Sequence, residues 1–393
     1  MLKNSPQFLF QNAQKRRYFA LQIKHQVRLD KDYAAFTEEC PANPLPHLII
    51  TEGKKSLFYE KKPLTVTVYL TRECNLRCIT CYFSAGKKEK DELLYKDWLK
   101  VVRKLADIGT TYVYLLGGEP LLLPLKQLTA IIKEIKDNGM APSLSTNGFM
   151  LSREVASSLK EAGTMQVQLS IDGTSKEVND LIRGHGSFEA ALNAASNLRE
   201  EDLDFSTSMT LTSLNYQQAV EFIKLSEKIG AKTATIIVAQ KFGRAKDWII
   251  PNRIQVARAY AQIKSYEASI PVILNGFRFY LENTYKVGLN SMQKGLGSEA
   301  KCPAGRSRFV IGPKGEIYGC ELLMNDEFLE GNALTDDLND VWEKGFRSFR
   351  NRDVRECKTC PLYSVCGGGC PARTYAAYRS LNRMDPLCNL QKK

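Results

Sequence analysis

Three cysteines fall within eight residues in "CNLRCITC": Cys74, Cys78 and Cys81, with spacings of three and then two intervening residues. Thiolates ligate soft metals, and a structural zinc site closes with four protein ligands. Three closely spaced thiolates instead suit three corners of a four-iron cluster, leaving one iron open to an exogenous ligand. A denser set lies near the C-terminus. Cys302 and Cys320 bracket "CPAGRSRFVIGPKGEIYGC", Cys357, Cys360, Cys366 and Cys370 form "CKTCPLYSVCGGGC", and Cys388 follows. Taken alone, a CxxC with further cysteines downstream admits zinc as readily as iron and sulfide. Cys40 stands outside both sets and reads as a small core residue.

These residues need a frame to position them. The chain has 393 residues, 44% hydrophobic and 25% charged, which is ordinary for a globular protein of two or three domains. A strand over Leu64–Thr71 opens a regular alternation of strands and helices. "TYVYLLGGEP" is a buried strand ending in a turn, and "LKQLTAIIKEIKDNGM" has helical apolar spacing with a Gly stop. "APSLSTNG", "TMQVQLSIDG", "FSTSMTLT" and "KTATIIVAQ" read as further strands, and "NYQQAVEFIKLSEKIGA" as a helix from an Asn215 cap to Gly230. About six βα units between residues 64 and 245 predict an α/β fold, a parallel barrel or partial barrel. Chemistry in such folds sits at the C-terminal strand ends. Cys74–Cys81, Gly117–Pro120, Ser145–Gly148 and Ser170–Gly173 all fall there. Past "GRAKDWIIPNR" the rhythm is expected to stop, with one helical stretch near Ile254–Ser269. The expected divisions are an N-terminal extension at 1–63 with short strands around a Gly turn, the α/β unit at 64–245, a helical connector at 246–301, and a small loop-rich, metal-held domain at 302–393. A segment as short as the last gains from metal staples.

No apolar run approaches the ~18 residues of a membrane span. The first residues carry their charges after a short apolar patch, the reverse of a secretory signal, so a cytoplasmic protein is expected, with no membrane partner. Eleven cysteines in that reducing compartment point to metal rather than disulfides. The net charge of +12 suits a basic solvated surface or an acidic partner. No aromatic-basic RNA-binding module is present, so no nucleic-acid partner is expected.

The CxxxCxxC of Cys74–Cys81, placed after the first barrel strand, resembles the motif of the radical S-adenosylmethionine (SAM) enzymes, and the resemblance extends over roughly residues 64–245. It implies a partial (β/α)6 barrel with SAM bound to the open iron through its amine and carboxylate. Reductive cleavage of the sulfonium then gives a 5′-deoxyadenosyl radical that abstracts a substrate hydrogen. "GGEP" resembles the family's amine-binding turn, assigning Gly117, Gly118, Glu119 and Pro120 to the cofactor. The glycines let backbone approach, and the carboxylate complements an ammonium. "STNG", with Ser145 and Asn147, resembles the ribose-contacting turn. "LSIDG", with Ser170 and Asp172, and "LIRGHGSF", with Arg183, resemble segments holding the carboxylate. His185 reads as a loop residue. The sequence departs from the family at Thr80, where an aromatic is usual, although Tyr82 and Phe83 follow.

The C-terminal cysteines resemble the SPASM domain, which carries two auxiliary clusters in a subset of these enzymes. By that pattern Cys357, Cys360, Cys366 and Cys388 hold an outer cluster, while Cys302, Cys320 and Cys370 hold an inner one. The interleaving is familiar from two-cluster ferredoxins. Arg308 stands where some relatives have another cysteine, which leaves one inner iron to solvent, a carboxylate such as Glu321, or a substrate sulfur. The resemblance thus implies three [4Fe-4S] clusters and a low-potential electron donor such as flavodoxin or ferredoxin. It also implies a peptide or protein substrate, oxidatively modified with a thioether or other crosslink as the foremost expectation. An anaerobic sulfatase-maturing enzyme is the alternative, with Glu321 as catalytic base. A peptide epimerase, a small-molecule oxidoreductase and a non-catalytic iron–sulfur carrier are further alternatives. "GGEP" and Arg183 weigh against the carrier, which needs no amino-acid pocket.

Overall fold

In the computed structural model, residues 33–40, 43–52, 55–56, 62–277, 302–360 and 363–388 are described. Three strands, β1 (Tyr33–Cys40), β2 (Asn43–Glu52) and β3 (Lys55–Ser56), form a small antiparallel sheet. The rest of 1–61, including most of the expected peptide-binding extension, lies outside the described residues, as does the side chain of Cys40.

Six strands then run parallel in sequence order: β4 (Thr65–Tyr69), β5 (Tyr112–Leu116), β6 (Ala141–Thr146), β7 (Gln166–Ser170), β8 (Phe205–Leu211) and β9 (Ala234–Val238). Their residues are nearly all buried, the pattern of strands covered on both faces. The covering helices are α1 (Tyr95–Asp107), α2 (Leu125–Asp137), α3 (Arg153–Ala162), α4 (Lys176–Arg183), α5 (Ser187–Glu200) and α6 (Ala219–Lys228). In α1 the buried Trp98, Val101, Val102 and Leu105 form one stripe, and Leu128, Ile131, Ile132 and Ile135 repeat that spacing in α2. Asn215 does not cap the helix it precedes. A short 3-10 turn, Tyr216–Gln218, comes first, and the Asn215 side chain turns back toward Thr212 and Asp172.

The alternation continues one unit beyond the expected stop. Helix α7 (Arg253–Ser265), closed by an Asn252–Gln255 capping box, leads to β10 (Val272–Asn275), which pairs in parallel with β9. A four-residue strand gives little periodicity, so only its neighbour reveals it.

The C-terminal region is joined to the same sheet. β11 (Arg308–Ile311) lies parallel to β4, with Arg308 opposite Thr65, and β12 (Glu316–Tyr318) and β13 (Leu329–Asn332) follow antiparallel. The order is β10-β9-β8-β7-β6-β5-β4-β11-β12-β13, an open sheet with β10 and β13 at its edges. Beyond it, α8 (Leu338–Lys344) and α9 (Pro371–Tyr378) flank the cysteine-rich loops. One apolar cluster spans both regions. Tyr69 and Phe83 pack there with Val310, Tyr318, Cys320, Phe349 and Cys370, and Cys74, Cys81 and Cys302 lie against them.

Candidate active site

The chain leaving β4 forms a loop that carries Cys74, Cys78 and Cys81, all half-buried. Local backbone bonds shape it: Cys74 N–H donates to Gly86 O at 2.9 Å, and Cys81 N–H to Cys78 O at 3.3 Å. Glu92 anchors the entry by accepting from Thr71 Oγ1, Arg72 N–H and Glu89 N–H. Burial pushes the Cys74 thiol up to about 11, with the charges of Cys78 and Cys81 adding to it. Cys78 is raised as well, chiefly by burial, while Arg183 and Arg244 pull it back. The three thiols therefore sense one another, and two guanidinium groups face them.

The turn after β5 docks on this loop. Gly118 N–H donates to Thr71 O and Glu119 N–H to Glu73 O, both at 2.7 Å. A Cβ on Gly118 would stand 2.0 Å from Glu73 O, so the close backbone approach is to the cysteine loop's own lead-in. Pro120 is buried at the start of a 3-10 turn. Glu119 is buried, and it accepts from Thr146 Oγ1 (2.8 Å), Leu121 N–H (3.1 Å) and Asn147 N–H (2.8 Å). Burial raises its carboxyl above the usual range against the pull of those donors. Asn147 Nδ2 donates to Asn75 Oδ1 at 2.7 Å, tying the turn after β6 to the cysteine loop, and Ser145 accepts from Gln168 Nε2. Ser170 ends β7, partly exposed. Arg183, the last residue of α4, pairs through Nη1 with buried Asp172 at 3.0 Å, and its carbonyl faces Cys78 Sγ at 3.5 Å. His185 is an exposed turn residue.

The aromatics after Cys81 are engaged elsewhere. Tyr82 and Tyr69 hydroxyls meet at 2.6 Å, the Tyr69 and Phe83 rings are 4.5 Å apart, and the Arg72 guanidinium lies 4.2 Å over Phe83. The phenols of Tyr69 and Tyr82 are raised by burial and by the nearby charge of Glu321. Glu321 is itself buried, bonded through Oε2 to the fully buried Arg308, while Oε1 has no hydrogen-bond partner. A line of buried polar groups thus runs from the Cys74–Cys81 loop through Tyr82 and Tyr69 to Glu321 and Arg308, beside Cys320.

The C-terminal cysteines form two neighbourhoods. Cys320 is raised by burial, then by Glu321, with Cys302 and Cys370 contributing. Cys357 is raised to about 12 by burial, with Cys388, Cys366 and Cys360 contributing. Cys302, Cys320 and Cys370 thus share one neighbourhood, and Cys357, Cys360, Cys366 and Cys388 another. Arg352 organises the glycine run between Cys366 and Cys370, donating to the carbonyls of Gly367 (2.7 Å), Gly368 (3.1 Å), Gly369 (2.8 Å) and Leu381 (2.6 Å). Asp385 accepts from Cys370 N–H and forms a bidentate pair with Arg373.

The residues fit the implied groups. Arg183 Nε is buried without a hydrogen-bond partner and suits a carboxylate. Glu119 uses three of its roughly four acceptor positions, leaving room for one ammonium hydrogen. Sequence reasoning missed Arg244, whose Nε donates to Cys78 O at 2.8 Å and Nη1 to Ala85 O at 2.6 Å. It missed Gln240 beside Cys370 and the burial of Arg308 with Glu321. "QKFGR" carries no local signal of these contacts beyond its glycine.

Residues 68–226 match the profile of the radical SAM superfamily, and residues 302–361 that of the SPASM iron–sulfur cluster-binding domain. The chain is 32% identical to a mycofactocin maturase, MftC, of Mycobacterium ulcerans, covering 83% of this chain and 88% of that one. It is 28% identical to an AdoMet-dependent heme synthase of Methanosarcina barkeri, over 83% of this chain and 96% of that one. It is 26% identical to a PqqA peptide cyclase of Bradyrhizobium diazoefficiens, over 84% and 86%. In fold it is similar to Streptococcus suis SuiB, solved bound to precursor peptide SuiA, with TM-score 0.70 and 18% identity over 84% of this chain and 77% of that one.

Proposed function

From the premise that the chain belongs to the radical SAM superfamily and carries its SPASM domain, we propose that it oxidatively crosslinks a ribosomally made peptide, with a thioether as the first candidate bond. The maturase and peptide-cyclase relatives support a peptide substrate. The observation that carries the reading is the shared apolar cluster, which places Cys74 and Cys81 in one buried region with Cys302, Cys320 and Cys370. A substrate carbon held over the first loop then lies toward the inner cysteine site, which can take a substrate thiolate or pass an electron on.

Cys74, Cys78 and Cys81 are the ligands we assign to the SAM-binding cluster, in a barrel unit over 64–245. Cys302, Cys320 and Cys370 are assigned to an inner cluster, and Cys357, Cys360, Cys366 and Cys388 to an outer one, in a unit over 302–393. When bound, cluster and SAM supply one-electron cleavage of a sulfonium bond and so a carbon radical able to take hydrogen. Glu119 orients the ammonium of SAM, and Arg183, charged and steadied by Asp172, orients its carboxylate. Gly117, Gly118, Pro120, Ser145, Asn147 and Ser170 shape the rim. Glu321, buried against Arg308 with its Oε1 unbonded, is the residue we assign as base. A flavodoxin or ferredoxin supplies electrons, its acidic surface complementing the +12 charge.

The test is anaerobic reconstitution with a Cys-containing precursor peptide and its Cys→Ser analogue. The expected product has lost two hydrogen atoms and formed one crosslink. Iron should reach about twelve per chain if all three clusters are four-iron. Changing Cys74, Cys78 and Cys81 together to Ala should abolish SAM cleavage and leave the C-terminal iron. Full cleavage in that variant would overturn the assignment. The heme-synthase relative favours a second reading, a small-molecule substrate. Turnover of a tetrapyrrole with no peptide product would select it.

A further inference from the structure

Residues Gln240–Arg244, "QKFGR", which begin one residue past β9, touch both the first cysteine loop and the inner cysteine site. At one end the Gln240 carboxamide lies against Cys370 Sγ, with Nε2 at 3.9 Å and Oε1 at 3.8 Å. At the other, Arg244 holds the first loop by three bonds: its N–H to Cys81 O (3.0 Å), Nε to Cys78 O (2.8 Å) and Nη1 to Ala85 O (2.6 Å). Between them Gly243 adopts φ +57°, and a Cβ there would stand 2.3 Å from Cys81 O and 2.4 Å from Tyr82 O. Phe242 packs into the apolar cluster that contains Cys320 and Cys370.

We propose that Gln240–Arg244 is a positioning strap that sets the first cysteine loop against the inner auxiliary site, and that Gln240 donates its amide N–H to the Cys370 sulfur. This rests on the reading that Cys302, Cys320 and Cys370 hold a cluster. The direction of the bond follows from the chemistry of the ligand. A free thiol can donate to Oε1 or accept from Nε2, but a metal-bound thiolate has no proton to give. Only the arrangement with the amide donating survives cluster binding. A donor on a ligand sulfur stabilises the more negative, reduced cluster and raises its reduction potential. Arg244 acts differently. It bridges carbonyls that lie on either side of Cys81, fixing the loop's curvature, and it places positive charge beside Cys78.

The test uses the full chain, reconstituted anaerobically, with iron counted and midpoints followed by electron paramagnetic resonance. The inner signal is the one lost in Cys302→Ala. Gln240→Leu should keep the inner cluster and shift its midpoint to more negative potential. Gln240→Glu, which also adds a negative charge, should shift it further. Arg244→Gln should lose iron from the Cys74–Cys81 site in preference to the C-terminal sites. Should that variant not fold, Arg244→Lys, which reaches one carbonyl only, should show the same preference to a smaller degree. An inner midpoint that is unmoved or raised in Gln240→Leu overturns the proposal, as does equal iron retention at all sites in both Arg244 variants. If the unaltered protein holds no iron at Cys302, Cys320 and Cys370, the cluster reading fails instead, and the two failures are distinct.

Discussion

Arg308 and Glu321 form an ion pair whose side chains are each 1% exposed. Removing one partner from such a pair leaves the other charged in a dry interior, and typically costs about 3–5 kcal/mol. Glu321→Ala should therefore lower the unfolding free energy of the reconstituted protein by that order, read from denaturant titration, and the Arg308→Met/Glu321→Leu double variant should recover much of it. A double variant no more stable than the single one would refute this account. The thiols give a pH prediction. With burial holding Cys74 near 11 rather than 9.0, its thiolate fraction at pH 8 is about a hundredfold lower than that of an unperturbed thiol. Iron-free protein should alkylate at Cys74 correspondingly slowly, with the rate climbing up to about pH 11. The sign for stability is fixed too. A raised acid favours the fold while protonated, so iron-free protein should lose stability as pH rises from about 9 through 11. Alkylation of Cys74 at the rate of a model thiol at pH 8 would contradict the burial argument. The Cys74–Cys81 loop was legible as a candidate ligand loop because its three cysteines lie within eight residues. The burial of Arg308 and Glu321 was not, since charged residues are mostly exposed and only their partner, 13 residues away, permits the exception.

At the scale of elements, the strand-end loops work as a braced set. Asn215 is fully buried after β8. It donates to Asp172 O (2.7 Å) and Thr210 O (2.9 Å), and accepts from Thr212 N–H (2.6 Å). Asp172 in turn accepts from Thr210 N–H and holds Arg183. Asn215→Ala leaves several buried groups unmatched, at roughly 1–3 kcal/mol each for those that water cannot reach. It should weaken SAM binding by loosening Asp172 and Arg183, with the C-terminal iron intact. Unchanged SAM affinity by equilibrium dialysis would show that Asn215 does not brace Arg183. The sequence showed the six strands because buried β-branched runs alternate with helical stripes. It placed Asn215 as a helix cap, since the residue type and position suit one. Its partners instead lie just upstream, at Thr210 and Thr212, and 43 residues back at Asp172, a contact made only on folding, as is that of Arg244, 166 residues from Cys78. No helix among the described residues is long and apolar enough to cross a membrane.

At the scale of the molecule, the barrel strands and the C-terminal strands form one sheet. The sequence points to two bodies, because composition changes sharply near residue 302. It does not show that β11 adds directly beside β4, a pairing across more than two hundred residues. The spacing between the first and inner cysteine sites is therefore set by hydrogen-bond register rather than by a linker. A consequence concerns what happens when the chain is cut. Ending it at residue 301 removes β11 and strips β4 of its outer neighbour. The row of amides and carbonyls over Thr65–Tyr69 is then left bare, an invitation to pair with another copy. Such a fragment should elute as oligomers or precipitate, and a lysine or proline placed on the outward edge of β4 should restore monomers. A fragment that stays monomeric without such protection would mean that the barrel half closes its own boundary. The C-terminal domain thus has two duties: it carries iron, and it is the shield that keeps the barrel's first strand from recruiting strangers.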